Sequence, residues 1–316
     1  RQVAQKNLRT SSRDGLNMTS MAGGSRAQLQ GALLAAASAA AFGALPIFAR
    51  LAYAAGVDLY GVLVPRFALG AAVLALIAVT RGARWPRGRS LLAVLAMGAL
   101  GYTGQSFLYF SALKHADASL VALLLYSFPF IVAVLAAVFL GERLDAARIG
   151  ALLLASAGLA MTVGGGSGTP LGIVLALGAA LVYSVYIVVG TRVLRDVDPL
   201  AASCVICTGA AASYCLLAGL GAASGQAPRF PSTAGGWLPV ISLALVSTAL
   251  AIAAFFAGLR RLGATLTSVI STLEPVVSVS LAALVLGERI GPLQAVGGAI
   301  VVGTAAWLAL RPARRG

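Results

Sequence analysis

Glu274 places a carboxyl group near the middle of an apolar run, residues 264–286. Burial penalises its ionised form, so such a group suits taking up and releasing a proton, or anchoring a polar ligand by hydrogen bonds. The plainer alternative is a neutral acid bonded to neighbouring backbone. Thr267, Ser271, Glu274 and Ser278 recur at spacings of four, three and four, which predicts one polar face of a helix. Arg66 is the other charge inside an apolar run. Counted from Leu59 at about 1.5 Å per residue it lies roughly 10 Å deep. That is shallow enough for its long side chain to snorkel to the surface. Alternatively its planar donors pair with Glu274 or hold an anionic group of a ligand.

Tyr102, Gln105, Ser106 and Tyr109 share a second polar face, and Tyr183 with Tyr186 repeat the pattern farther on. Rings with polar tips suit the wall of a ligand cavity; a belt at the membrane interface is the alternative, and fits Tyr109 best. Pro129 and Pro275 each sit near the centre of an apolar run and withhold a donor from the carbonyl four residues back, Leu125 and Ser271. A break at that depth is tolerated where protein, side chains or cavity water reach the freed carbonyl, although such a kink also serves packing alone. Cys204, Cys207 and Cys215 lie in one apolar run without a ligand set for zinc, and the single His115 is distant in sequence, so packing is their expected role and no metal site is expected.

Elements that could position these groups follow from the hydropathy. The chain is 59% hydrophobic and 10% charged, too apolar to bury its surface in one water-soluble core. A helix needs about 20 apolar residues to cross a bilayer. Ten runs qualify: 29–51, 59–79, 90–112, 118–140, 146–163, 172–193, 200–220, 237–259, 264–286 and 293–310. Period-two alternation is absent, which argues against a transmembrane barrel. Of the 23 Lys and Arg residues, 18 fall before the first run, in the even-numbered connections or in the tail, four fall on the other side, and Arg66 lies within a run. By the positive-inside rule both termini are cytoplasmic. The basic loops therefore face anionic lipid, and nucleic-acid binding is not expected.

Ser106–Arg143 laid on Ile252–Arg289 without a gap gives 12 identities in 38 positions, including Pro129/Pro275 and the closing Leu-Gly-Glu-Arg. Glu274 falls on Phe128, so the acid belongs to one copy only. The two Gly-Glu-Arg triplets end the fourth and ninth runs, where they are expected to connect and orient helices. Five crossings per copy turn the second upside down, an arrangement suited to alternating access. Gly31 and Gly172 open the copies, and Val57–Asp58 and Val197–Asp198 follow the first run of each. The predicted fold is an all-α membrane protein of two inverted five-helix repeats, 28–163 and 172–310. They are joined by a flexible linker at 164–171 and flanked by a disordered polar tail at 1–27 and a basic tail at 311–316. Met18 or Met21 is the expected natural start, since residue 1 is Arg.

Arg66-Phe67, Tyr109-Phe110-Ser111-Ala112-Leu113, Gly141-Glu142-Arg143, Leu273-Glu274-Pro275 and Gly287-Glu288-Arg289, in this order and spacing, resemble the EamA-type branch of the drug/metabolite transporter superfamily. The resemblance covers about residues 29–310. It implies a ten-helix exporter of metabolites or amino acids in a bacterial inner membrane, with a cavity lined by spans one, three, four, six, eight and nine. No nucleotide-binding Gly-x-x-x-x-Gly-Lys-Ser/Thr loop is present, so a secondary-active carrier of small polar or amphipathic molecules, open to proton coupling, is the expectation. The alternatives are a membrane-embedded lipid-processing enzyme, for which the catalytic pairs are missing, and a non-transporting membrane subunit. An enzyme is not the reading, and no cofactor is expected. The expected partners are a small-molecule substrate and the lipid bilayer, with a homodimer left open.

The charge bias generates a topology prediction. In a variant free of native cysteines, single cysteines placed in 82–89 should label from the cytoplasm only and those in 223–233 from outside only; outside labelling of 82–89 would overturn the orientation.

Overall fold

A computed structural model describes residues 26–310 except 113, 165–166, 195 and 288. The predicted tails lie outside the described residues apart from Arg26 and Ala27, which open the first helix. The start proposed at Met18 or Met21 also lies outside. Among the described residues, ten helical spans long and apolar enough to cross a bilayer follow in order: Arg26–Ala54, Leu59–Thr80, Arg89–Tyr109, Leu120–Leu140, Ala146–Val163, Pro170–Val193, Pro199–Ala223, Ala234–Leu262, Ala264–Leu286 and Pro292–Leu310. Among the described residues the sole β interaction is one antiparallel bridge, Ala116 to Gly168.

The repeated dipeptides have local causes. Asp58 caps the second span by accepting from the Gly61 N–H at 2.7 Å. Asp198 caps the seventh in the same way, accepting from Leu200 N–H at 2.9 Å. Each Val-Asp thus satisfies donors left open at a helix start. Gly141 and Gly287 end the fourth and ninth spans in the left-handed region, at φ 70° and 71°, where a side chain would be strained. The glycine of each Gly-Glu-Arg is therefore a helix stop. Its first glutamate crosses between the repeats: Glu142 accepts from Ala264 N–H at 2.8 Å and Thr265 N–H at 3.3 Å. A carboxylate of the fourth span's end thereby holds the start of the ninth, where the helix dipole favours negative charge.

Connections of the same parity meet. Asp58 N–H donates to Arg229 C=O at 3.3 Å, joining the first connection to the seventh. Asp117 accepts from the Ser167 amide at 2.8 Å and hydroxyl at 3.0 Å, and these two donors hold its carboxyl below the usual carboxylate range. The linker expected to be flexible is thus tied at Ser167, and again by Thr169 N–H to His115 C=O at 2.9 Å.

Packing relies on close backbone approach. A Cβ on Gly98 in the third span would overlap the Ile206 carbonyl of the seventh, and Gly209 of the seventh faces Leu95 and Ala99 in return. Gly158 and Gly297 do the same for the fifth and tenth spans. Small residues of this kind let membrane helices approach without a gap. Leucine, valine and phenylalanine at many outward positions, such as Leu76, Leu100, Val138 and Leu284, are left exposed on the bundle surface, as expected for a surface solvated by lipid.

Gly98→Ala should therefore separate the third and seventh spans or strain them, at about 1–3 kcal/mol for an overpacked contact. A lower melting temperature of the detergent-solubilised variant checks this, and Gly104→Ala, where a Cβ meets nothing within 4 Å, serves as the control.

Candidate functional site

Among the described residues five spans leave regular α-helix inside the bundle: the first breaks alone at Ala44, before the helix Leu45–Ala54, and the other four do so as matched pairs. The fourth breaks between helical segments Ala118–Leu125 and Phe128–Leu140, and the ninth between Ala264–Ser271 and Leu273–Leu286. Pro129 and Pro275 stand just past these breaks. Neither ring carries an N–H, and both fall in the first turn of the new segment, where none is required. The third and eighth spans instead widen into single π turns, Met97–Tyr102 and Leu245–Leu250. Such turns shift the hydrogen-bond ladder by one residue and re-aim side chains and carbonyls.

Arg66 sits at the meeting point. It is only 5% exposed, so it does not snorkel to the surface. Its Nε donates to Thr248 Oγ1 at 2.6 Å and its Nη2 to the Ser247 carbonyl at 3.2 Å, both on the π turn of the eighth span, and Nη2 also reaches Tyr102 Oη at 3.2 Å. Thr248 in turn donates to Leu243 C=O at 2.8 Å, and Ser247 Oγ donates to Ala41 C=O of the first span at 2.7 Å. The guanidinium carbon lies 4.9 Å from the centroid of the Phe67 ring, within cation–π range. Among the described residues no carboxylate oxygen comes within the 4.0 Å of a salt bridge to it. The direct Arg66–Glu274 pair considered from sequence is therefore not formed.

A run of rings connects the two charges. Tyr102 meets Tyr186 edge-on at 6.3 Å, Tyr186 stacks on Tyr183 at 6.2 Å, Tyr183 meets Phe128 at 4.7 Å and Phe128 meets Tyr126 at 5.9 Å. At the far end Tyr126 lies beside Glu274. Tyr102, Tyr109 and Tyr183 all lie near enough to feel the Glu274 charge. Glu274, Tyr102, Tyr109 and Tyr183 keep part of their surface accessible, whereas Tyr126 and Tyr186 are buried behind them. The result is an aromatic wall with a cation at one end and an acid at the other.

Not every sequence-derived candidate joins this wall. The polar face expected of Thr267, Ser271, Glu274 and Ser278 is interrupted at Thr272, because the helix breaks there. Ser271 is 4% exposed and its hydroxyl donates back to Thr267 C=O at 3.0 Å, so it does not line the site. Ser278 donates to Gly43 C=O at 2.9 Å and Glu274 C=O at 3.1 Å, fastening the ninth span to the first. Ser106 is buried beside Tyr214, whose ring stacks on Phe67 at 5.5 Å. Gln105 is partly exposed one turn past Tyr102. Tyr109 is partly exposed and lies within range of the Glu274 charge. Cys204 and Cys207 are buried, with Cys207 near Tyr102 and Tyr186, and Cys215 is exposed. No group of three metal-binding side-chain types occurs among the described residues.

Sequence reasoning missed Tyr126, Thr248 and Ser247. It also left the second span out of the cavity, although that span supplies Arg66 and Phe67. Two clefts open away from the ring wall. One of about 290 Å³ lies a turn beyond Glu274, between Pro46, Arg50, Ser278, Arg289 and Gln294; another of about 470 Å³ lies between Arg84, Trp85, Arg87 and Asp196 at the opposite end.

Comparison with known proteins matches residues 29–164 and 170–310 to the EamA-like transporter family. An aromatic amino acid exporter, YddG, from Ancylobacter novellus is 29% identical over 76% of this chain and 84% of its own length. A protein of Streptantibioticus cattleyicolor named a probable terminal-alkyne amino-acid exporter is 30% identical over 78% of this chain and 83% of its own. One solved crystal structure superposes with a TM-score of 0.75 at 26% identity, covering 87% of this chain and 95% of that one.

The cradle around the cation generates a prediction. Thr248→Val removes the acceptor of the Arg66 Nε bond and should cost about 1.5–3 kcal/mol, the range for hydrogen bonds to charged groups. A depressed melting temperature with Thr248→Val, retained in Thr248→Ser, is the expected pattern; equal melting of the valine variant and the parent would show that the hydroxyl does not hold the guanidinium.

Proposed function

The chain belongs to the EamA-like transporter family, and from that premise we propose that it is a secondary-active, alternating-access exporter of amino-acid-like or amphipathic metabolites in which Glu274 exchanges a proton. It is a multi-pass membrane protein and a transporter rather than an enzyme. The observation that carries the finer reading is the acid itself. Glu274 is partly accessible, shares its surroundings with Tyr126, Tyr109 and Tyr183, and stands just past the break in the ninth span. A carboxyl so placed meets the substrate path and a mobile helix joint together.

Rocking of one repeat against the other would use the joints at Tyr126–Ser127 and Thr272, because the regular ladder gives way there to the tighter bonds of Ser127 N–H to Leu124 C=O and Thr272 N–H to Val269 C=O, each 3.1 Å. Bonds such as Glu142 to the start of the ninth span and Ser278 to Gly43 tie the repeats together at separate depths. Each is of a kind that one inward- or outward-open state retains and the other releases. Both termini are cytoplasmic in this reading, on the strength of the loop charges. The two relatives named for amino acids support cargo of that size and polarity.

Glu274→Gln keeps the shape and much of the hydrogen-bonding capacity but removes titration. Substrate counterflow in proteoliposomes should therefore survive while flux driven by a pH gradient is lost. Loss of both modes together would reassign Glu274 to substrate anchoring, and parental rates in both with normal abundance would end the claim that it carries function.

A further inference from the structure

Basic residues are scarce on the face that the charge bias places outside: Arg50, Lys114, Arg229 and Arg289 alone fall there. Two of these four, Arg50 and Arg289, line one cleft of about 290 Å³. The first and ninth spans form most of it. They touch at Gly43, where an added Cβ would overlap the Glu274 carbonyl and Val277, and where the Ser278 hydroxyl donates to Gly43 C=O. Beyond that contact the first span breaks at Ala44, and the cleft opens between the segment Leu45–Ala54 and the ninth span. Arg50 comes from that segment and Arg289 from just past the Gly287 helix stop, so the two guanidinium groups belong to different elements.

The rest of the lining is apolar or neutral, with Ile47, Val279 and Ala282 among the apolar groups and Ser278 and Gln294 among the polar ones. Among the described residues no acid lines it. Leu284, Val285, Ile290 and Leu293 stand exposed beside it, so the cleft adjoins the surface that lipid solvates. We propose that this cleft binds an anionic phospholipid, with the phosphate held by Arg50 and Arg289 and the first carbons of an acyl chain against Ile47 and Ala282. The inference is independent of the cargo and of the coupling ion.

Charge and shape both select this occupant. Two guanidinium groups lining one cleft repel each other until an anion lies between them, and their planar donors match phosphate oxygens. The volume is at the lower end of the roughly 300–1,000 Å³ of ligand sites, enough for a head group and the start of a chain while the remainder stays in the bilayer. A zwitterionic lipid would bring an ammonium for which the lining has no carboxylate. The larger cleft at the opposite end differs on this point, since Asp196 lines it together with Arg84 and Arg87. Inorganic phosphate could make the charged contact but would leave the apolar floor uncovered. A seated lipid would bridge the first span to the connection between the ninth and tenth.

Photocrosslinking in nanodiscs tests the site. The full protein is placed in phosphatidylcholine with a trace of phosphatidylglycerol that carries a diazirine near the head of one chain, and the labelled peptides are mapped. Peptides covering 46–50 and 279–290 should be labelled. Excess plain phosphatidylglycerol should remove that labelling, whereas excess phosphatidylethanolamine or inorganic phosphate should not. In the double variant Arg50→Gln, Arg289→Gln it should fall about 10- to 100-fold, as the loss of charged hydrogen bonds predicts. Labelling of 81–89, which has four arginines of its own, should stay as it was. Equal labelling of the cleft by a phosphatidylcholine probe in the parent protein overturns the proposal without recourse to a variant, which matters if the double variant does not fold. Displacement by inorganic phosphate as readily as by phosphatidylglycerol makes the occupant a soluble anion and overturns the lipid site. Undiminished labelling in a folded double variant overturns the part given to the two arginines.

Discussion

Backbone polar groups that leave the helical ladder inside a bilayer must find partners within the protein, because lipid offers none. This constraint organises the structure. Among the described residues five departures from regular helix occur within spans, three breaks and two π turns, and the four that recur in both repeats lie next to Arg66, Tyr102, Tyr126 or Glu274. The eighth span shows the consequence most directly. Its π turn presents the Ser247 carbonyl and the Thr248 hydroxyl to one guanidinium, so the departure from the ladder and the burial of a cation satisfy each other. The prolines work by subtraction: a residue without an N–H makes a new helix start inexpensive at that depth.

Duplication supplied the scaffold, and loss of symmetry supplied the site. Glycine stops, Val-Asp caps, breaks and π turns recur in both repeats, since each solves a backbone problem that inversion does not alter. The charged groups do not recur. Glu274 corresponds to Phe128 in the first repeat, and with the two Val-Asp pairs aligned Arg66 falls on Ile206, which is fully buried. Two copies of either charge would place like charges around one central space; one of each gives that space a direction.

Much of this was legible in the sequence because the membrane imposes its rules locally. Span lengths, the inverted repeat, the breaks beside Pro129 and Pro275 and the two intramembrane charges all follow from composition and spacing. Contacts between spans were not. Tyr126 sits in the break itself, where helical periodicity no longer says which way a side chain faces, though its place three residues before Pro129 was a signal. Thr248 and Ser247 resemble Thr267 and Ser271 in sequence, yet the first pair serves Arg66 and the second bonds back to its own helix. The π turn makes that difference, and no single-residue pattern announces it. Ser271 failed as a candidate for the same reason, since the serine hydroxyl in a helix has a carbonyl four residues back within reach.

Aromatic residues between the charges solve a problem that aliphatic ones would not. A cation and a carboxylate at about 4 Å attract by roughly 4 kcal/mol at an effective dielectric of 20, enough to draw flexible side chains together and fill the space between them. Tyr102, Tyr186, Tyr183, Phe128 and Tyr126 come from three different spans and brace one another through ring contacts of 4.7–6.3 Å. Each ring turns about only two bonds; the Tyr102 hydroxyl accepts from Arg66, and Tyr126 lies beside Glu274. The wall thereby keeps the two charges from collapsing into a salt bridge, and their unmet attraction is left for whatever enters between them.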